Sequence, residues 1–274
     1  MKIGFIGHGN MGAAIIKGLV DNDVLPKENI FVSGHTLEGT EAFASQNHIT
    51  AIFPNEDLVK AVDVIILAVK PHVVHEIIRE IRDELTESET LLISIAAGKS
   101  ISDLERAVKT SQQAIIRVMP NVNATVGASV TGITANQSTT SEQLELATKI
   151  FESIGSVYNL SEESFSIFTA LAGSAPAFAY LFIDGLARSA VKHGLPKPLA
   201  TQIATEMVLG SAQLVAQSDD NPWGLIDKVS SPGGTTIEGV LSLEADGFVG
   251  SISRAIDATY EKDQKFARFK ENQE

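Results

Sequence analysis

Apolar positions along the chain keep two rhythms, and the change from one to the other falls near residue 160. Before it, short unbroken apolar runs alternate with stretches of helical period; after it, Ala-rich stretches of helical period follow one another with few strand signals. The first run, Ile3-Gly4-Phe5-Ile6, is too short for a helix and leads through Gly7-His8-Gly9-Asn10-Met11-Gly12 into the helical pattern Ala13 to Val20. Further strands are expected over 29–33, 61–69, 90–95 and 114–118; in 61–69 branched residues crowd together with little polar alternation, as in a strand buried on both faces. Between the last two, Ser102-Asp103-Leu104-Glu105 has the spacing of a capping box and marks a helix start. The alternation predicts an α/β fold, with an N-terminal Rossmann-type doubly wound parallel sheet over residues 1–160. Helices expected over 162–192, 198–217 and 247–269 make residues 161–274 a second, all-α domain.

In such a sheet ligands gather at the carboxyl ends of the strands, here Gly7, Ser33, Val69-Lys70-Pro71, Ala96-Ala97-Gly98 and Met119-Pro120-Asn121. The three glycines between the first strand and helix have separate tasks. Gly7 makes the tight turn, Gly9 lets the backbone approach a diphosphate, and Gly12 lets the helix sit close to the strand. The free N–H groups and positive end of that helix then face the phosphates. At the end of the second strand an acid would hold the ribose 2′-hydroxyl of NAD, but the chain has Ser33-Gly34-His35-Thr36, small polar groups suited to the 2′-phosphate of NADP. No Arg stands with them, so NADPH is preferred and NADH stays open. Pro120 keeps Met119 from helical angles and holds Asn121 at the rim.

In the second half, Val229-Ser230-Ser231-Pro232-Gly233-Gly234-Thr235-Thr236 combines two glycines and four hydroxyls just ahead of a helical stretch. Backbone N–H groups exposed there form a cradle for a carboxylate, with hydroxyls left to reach a neighbouring polar atom. Small residues at Ala187, Ala190, Ala204, Gly210 and Ala212 allow close helix packing, and the apolar surface of these helices points to a homodimer or larger assembly. Residues 164–183 carry no charge, yet Ser164, Ser166, Thr169, Gly173, Ser174 and Pro176 lie within them and no basic flank orients them. They are expected to form a helix buried in a core or a subunit interface and not a membrane span.

Composition narrows the chemistry. The 274 residues carry a formal net charge of −13, which disfavours a nucleic-acid partner, and no cysteine, which excludes disulfides, thiolate catalysis and Cys-ligated metal centres. The glycine turn interrupts the N-terminal apolar run before a secretory signal could develop, so the protein is expected in the cytoplasm. His72 and His75 lack further ligands, and His193 beside Lys192 suits the basic end of a helix, so no metal site is expected. The polar tail from Lys270 to Glu274 is the one stretch expected to lack order.

Across nearly its whole length the chain resembles the pyrroline-5-carboxylate reductases. The resemblance rests on residues 7–12, Ala68-Val69-Lys70-Pro71, Ser94-Ile95-Ala96-Ala97-Gly98, Arg117-Val118-Met119-Pro120-Asn121, Gly173-Ser174-Ala175-Pro176-Ala177 and, most specifically, Ser230-Ser231-Pro232-Gly233-Gly234-Thr235-Thr236. It implies a dinucleotide domain followed by a helical dimerisation domain, with the active site at the dimer interface. It further implies that Ser33 and Asn55 hold the adenosine end of the cofactor and that Val69, Lys70 and Ala97 line its nicotinamide side. Asn10, Met11, His35, Thr36, Ala68, Pro71 and Asn121 complete the candidate cofactor set. The backbone from Ser231 to Thr236, with Pro232, Gly233, Gly234 and Thr235 between, would take the substrate carboxylate, and Thr236 would reach the ring nitrogen with Ser231 beside it as catalytic candidates. The activity so implied is reduction of 1-pyrroline-5-carboxylate to L-proline, the last step of proline biosynthesis. Ala175 departs from the family's usual glycine. A 3-hydroxyacid dehydrogenase of similar build would need a Lys between Ser164 and Ala187, and none is there; a sensor of NADP(H) without turnover would need no second anion cradle.

Overall fold

Ile3–Ile6 forms β1, and its side chains alternate between two apolar layers: Ile3 and Phe5 enter one, Ile6 the other. The computed structural model describes residues 1–271, with side chains to residue 265. After β1 come α1 (Asn10–Asp21), β2 (Ile30–Ser33), α2 (Leu37–Asn47), β3 (Thr50–Ala51), α3 (Asn55–Ala61), β4 (Val64–Leu67), α4 (Val74–Glu87), β5 (Leu91–Ser94) and α5 (Ile101–Val108). Then follow β6 (Ile115–Met119), β7 (Ser129–Ala135), α6 (Ser141–Glu152) and β8 (Gly155–Asn159). The strands form one sheet in the order β3-β2-β1-β4-β5-β6-β7-β8. Ile30, Val32, Val64, Ile66, Leu91 and Ile93 join α1 and α6 on one face, while Phe31, Ile65, Leu67 and Leu92 join α3, α4 and α5 on the other. Burial on both faces is why these strands read as unbroken apolar runs. In α4 the buried set Val74, Ile78, Ile81 and Leu85 follows the helical period, and each such side chain contributes about 1.5–3 kcal/mol.

Three features depart from the sequence pattern. The strand expected over 61–69 is shorter, because α3 continues through Ala61. β7 runs antiparallel to β6, since only the 3₁₀ turn Val122–Val126 joins them and a parallel partner needs a crossover of a dozen or more residues. The capping box of α5 lies at Ser100 and Asp103: the Ser100 hydroxyl accepts from the Asp103 N–H and the Asp103 carboxylate from the Ser100 N–H, both at 3.0 Å. That earlier start brings Ile101 into the helix, where it is buried with Leu104 and Val108.

The chain divides into two compact units, residues 1–173 with the stretch from 262 onward, and residues 174–261. The division falls later than the change of rhythm near 160 because the segment after β8 is anchored to the sheet. Phe165, in α7 (Phe165–Phe168), is buried beneath the Arg117 guanidinium, 4.3 Å from its ring. Arg117 pairs with Glu162 at 2.8 Å, and Glu162 also accepts from the Ile101 N–H at 2.7 Å. A π-helical turn, Thr169–Ser174, then leads into α8 (Ala175–Lys192). Pro176 has no N–H for the Ala172 carbonyl four residues back; the Asn121 amide supplies it instead, at 2.9 Å.

In the second unit α8 is followed by α9 (Lys197–Gln217), α10 (Pro222–Val229) and α11 (Thr235–Ala245), and α12 (Phe248–Glu271) starts there; α10 is an addition to the helices expected, and α11 is the helical stretch expected after the glycine loop. α8 and α9 pack through Ala187, Ala200 and Ala204. The uncharged stretch 164–183 is buried in its own chain only in part, at Phe165, Ala170 and Ala172; Leu171 is 66% exposed and Leu181 74%. Leu209, Leu214, Leu241 and Val249 are likewise exposed. Residues 162–192 form a helical stretch long and apolar enough to cross a membrane by length and composition. Residues 272–274, the end of the polar tail, lie outside the described residues.

Asn121 joins three segments within the first unit, because its amide oxygen also accepts from the N–H groups of Asn123 at 3.2 Å and Val130 at 3.3 Å. Asn121→Ala leaves three backbone groups without partners and should lower stability by about 2–4 kcal/mol in urea denaturation. A loss below about 1 kcal/mol would mean that water replaces the amide.

Candidate active site

The turn from β1 to α1 is held by backbone approach. Gly7 has φ +100°, its N–H donates to the Ser33 carbonyl at 2.8 Å, and a Cβ there would lie 2.7 Å from the Ala68 carbonyl oxygen. A Cβ on Gly12 would lie 2.6 Å from the Gly7 oxygen and 3.0 Å from the Ala68 Cβ. Gly9, the N-cap of α1, would meet nothing within 4 Å. No side chain caps α1 and no acid occupies its first turn, so the N–H groups at Asn10, Met11 and Gly12 end a positive helix dipole beside open space.

At the end of β2, Ser33 is fully buried and its hydroxyl has no hydrogen-bond partner. The next residues are exposed at His35 and Thr36; the Thr36 hydroxyl oxygen caps α2 by accepting from the Gly39 N–H at 3.3 Å. His8, which the sequence did not single out, stacks on Phe43 at 4.7 Å between ring centroids, and a Cβ on Gly34 would come within 2.5 Å of its Nε2. Asn55 begins α3, buried, with its Nδ2 donating to Glu80 Oε1 at 3.0 Å and its Oδ1 without a partner. Burial first, then the Glu56 carboxylate beside it, hold the Glu80 carboxyl above its ordinary value, although the Asn55 hydrogen bond acts the other way. Two buried polar atoms left without partners, Ser33 Oγ and Asn55 Oδ1, fit the adenosine end of a dinucleotide, which carries hydroxyl and amino donors.

Ala68 follows β4 and forms the wall against Gly7; Val69 and Pro71 are half-buried, Lys70 and Ala97 exposed. Asn121 sits at the end of β6, but its amide is committed within the chain, so it shapes the rim by bracing backbone.

The loop of the second unit is a tight turn. Pro232 and Gly233 occupy its middle, Gly233 has φ +67°, and the Gly234 N–H donates back to the Ser231 carbonyl at 2.9 Å, the residue choices of a type II turn. Gly234 is the N-cap of α11, again with no side-chain cap, so the first amides of that helix, from Thr235 and Thr236, are unengaged by a cap. Ser231, Thr235 and Thr236 are exposed, and the buried Ser230 hydroxyl, which sequence reasoning did not assign, has no partner. Ala175, where the family resemblance leads one to expect glycine, opens α8.

These features have counterparts in known proteins. Residues 162–266 match the family described as pyrroline-5-carboxylate reductase dimerisation, and residues 2–98 match the one described as NADP oxidoreductase, coenzyme F420-dependent. A pyrroline-5-carboxylate reductase of Aquifex aeolicus is 39% identical over 265 residues, covering 97% of each chain. The chain belongs to the pyrroline-5-carboxylate reductase family. Among solved structures, a pyrroline-5-carboxylate reductase from Coxiella burnetii matches with a TM-score of 0.92 at 31% identity, over 97% of this chain and 98% of that one. The Plasmodium falciparum pyrroline carboxylate reductase, solved with NADP bound, matches with a TM-score of 0.86 at 33% identity over the same shares.

Within this reductase-family fold the glycine turn separates binding from folding. Gly9→Ala should keep its melting temperature yet weaken NADPH binding at least about tenfold in a fluorescence titration, because its Cβ fills only the ligand's space. Gly12→Ala should lower both, since its Cβ meets the Gly7 carbonyl. Gly9→Ala binding as tightly as the parent chain would mean that no diphosphate approaches there.

Proposed function

We propose that this chain reduces 1-pyrroline-5-carboxylate to L-proline in the cytoplasm, with NADPH as the preferred reductant and NADH as a second one. The observation that carries the reading is a second anion cradle besides the dinucleotide turn: the Ser231–Gly234 turn delivers the uncapped start of α11, next to the unpartnered Ser230 hydroxyl. A dinucleotide has no use for it, whereas a small acid does.

NADPH, when bound, supplies a hydride to the imine carbon, and the C=N electron pair passes to the nitrogen. A protonated cyclic imine is already electrophilic, so the residues need to hold, align and shield it, without a strong acid or nucleophile of their own. Within the loop from Ser231 to Thr236, the Thr235 and Thr236 amides at the uncapped start of α11 take the carboxylate, which fixes the ring. Thr236, at the second position of α11, then orients the nitrogen with its hydroxyl and relays the proton that nitrogen exchanges. Ser231 lines the same turn. Ser33 and Asn55 hold the adenosine end, while Val69, Lys70 and Ala97 flank the nicotinamide.

The exposed apolar faces of α8, α9, α11 and α12 support pairing of two copies, because single chains rarely leave so many leucines and valines to water. Sedimentation of the full chain should give a particle of at least twice 29.2 kDa, and a monomer would remove this part of the reading.

The activity test is oxidation of NADPH in the presence of pyrroline-5-carboxylate, repeated with NADH. In that assay Thr236→Ala should lower turnover roughly tenfold to a few hundredfold, the scale of one positioned hydrogen bond or proton relay. Unchanged turnover would take Thr236 out of the reaction.

A further inference from the structure

Asn55 is 7% exposed, and its amide is divided between two surroundings. Its Nδ2 donates to Oε1 of Glu80, twenty-five residues away in α4, at 3.0 Å; its Oδ1 is buried with no donor near it. An amide can turn over and exchange its two ends, and nothing in α3 itself prevents this. Glu80 does when ionised: with the amide reversed, a carbonyl oxygen would face a carboxylate oxygen that only accepts, and the bond would be lost. The carboxyl group therefore selects one of the two orientations. Partial burial, and then the Glu56 charge beside it, raise its proton affinity, while the bond from Asn55 acts the other way.

The selected orientation leaves an acceptor, and an acceptor discriminates. It pairs with a hydroxyl or amino group and not with a phosphate oxygen, which accepts only. We propose that Glu80 is a positioning residue for the adenosine ribose of the cofactor, holding the Asn55 amide so that Oδ1 is presented to a ribose hydroxyl. This rests on the reading of the first unit as a site for NADPH. Glu80 acts through Asn55 and touches no reacting atom, so its removal weakens binding of the dinucleotide and leaves hydride transfer at saturation intact.

The test measures dissociation constants of NADPH for the purified full chain by cofactor fluorescence, with steady-state kinetics alongside. Glu80 lies on the exposed side of α4, and alanine is a strong helix former, so Glu80→Ala should fold. It should weaken NADPH binding roughly fivefold to tenfold, the scale of one hydrogen bond, with kcat within about twofold of the parent. Glu80→Gln, whose side-chain oxygen still accepts from Nδ2, should bind within about twofold of the parent. Asn55→Ala should weaken binding by a similar factor, and adding Glu80→Ala to it should change nothing further, as two residues acting through one contact do. Unchanged binding in Glu80→Ala, equal losses in Glu80→Gln and Glu80→Ala, or losses that multiply in the double variant would each overturn the proposal. A parent chain that binds no NADPH would overturn the cofactor reading itself, which the same titration tells apart.

Discussion

Backbone must come unusually close to backbone where β1 gives way to α1, and the ligand-facing edge of the first unit follows from that approach. Gly7 takes a left-handed turn against the Ala68 carbonyl, and Gly12 lies against the Gly7 oxygen. Side chains at either position would push the helix off the end of the strand. Because they are absent, the first amides of α1 stand at the carboxyl edge of the sheet with open space at Gly9. The same solution recurs at α11, where a turn through Gly233 delivers another helix start from a glycine N-cap. Thr36, Ser100, Thr140 and Asn221 cap α2, α5, α6 and α10 with their own side chains, while α3, α4, α7, α8 and α9 start uncapped but from proline, valine or serine and not from glycine. A glycine N-cap leaves the first amides of a helix both unengaged and open to an anion's approach.

That economy suits the chemistry proposed. Hydride addition to a protonated imine asks for alignment more than for acid or nucleophile, and glycine, serine and threonine can align without introducing charge. The strongly acidic surface of the chain is compatible with binding anionic ligands because the attraction is local, from amides within a few ångströms, whereas exposed carboxylates beyond a Debye length are screened.

The junction after β8 depends on polar groups being matched across the first unit. Arg117 is sandwiched between its partner Glu162 and the Phe165 ring, which couples the π-helical segment to β6. Asn121 meets the carbonyl that Pro176 leaves unpaired. The proline leaves one carbonyl without its helical donor, and the asparagine supplies another.

Much of the dinucleotide turn was legible in the residues themselves, because a left-handed turn, a close approach and a helix start each demand particular residues within a span of six. The apolar rhythm likewise announced β1, β2, β4, β5 and β6 and the helical second half, since burial on two faces and on one stripe leave different periods. The Ser230 to Thr236 loop was visible for the same local reason. Nothing local announced that β7 would run antiparallel or that Asn121 would brace Ala172 across fifty-one residues. Nor did the sequence show that Asn55 would donate to Glu80, or that Leu171 and Leu181 in the uncharged stretch would lie exposed in their own chain. Those outcomes are hydrogen bonds and contacts between distant segments. Residue preferences act over a turn or two of backbone, and only the packed sheet decides which distant donor meets which acceptor.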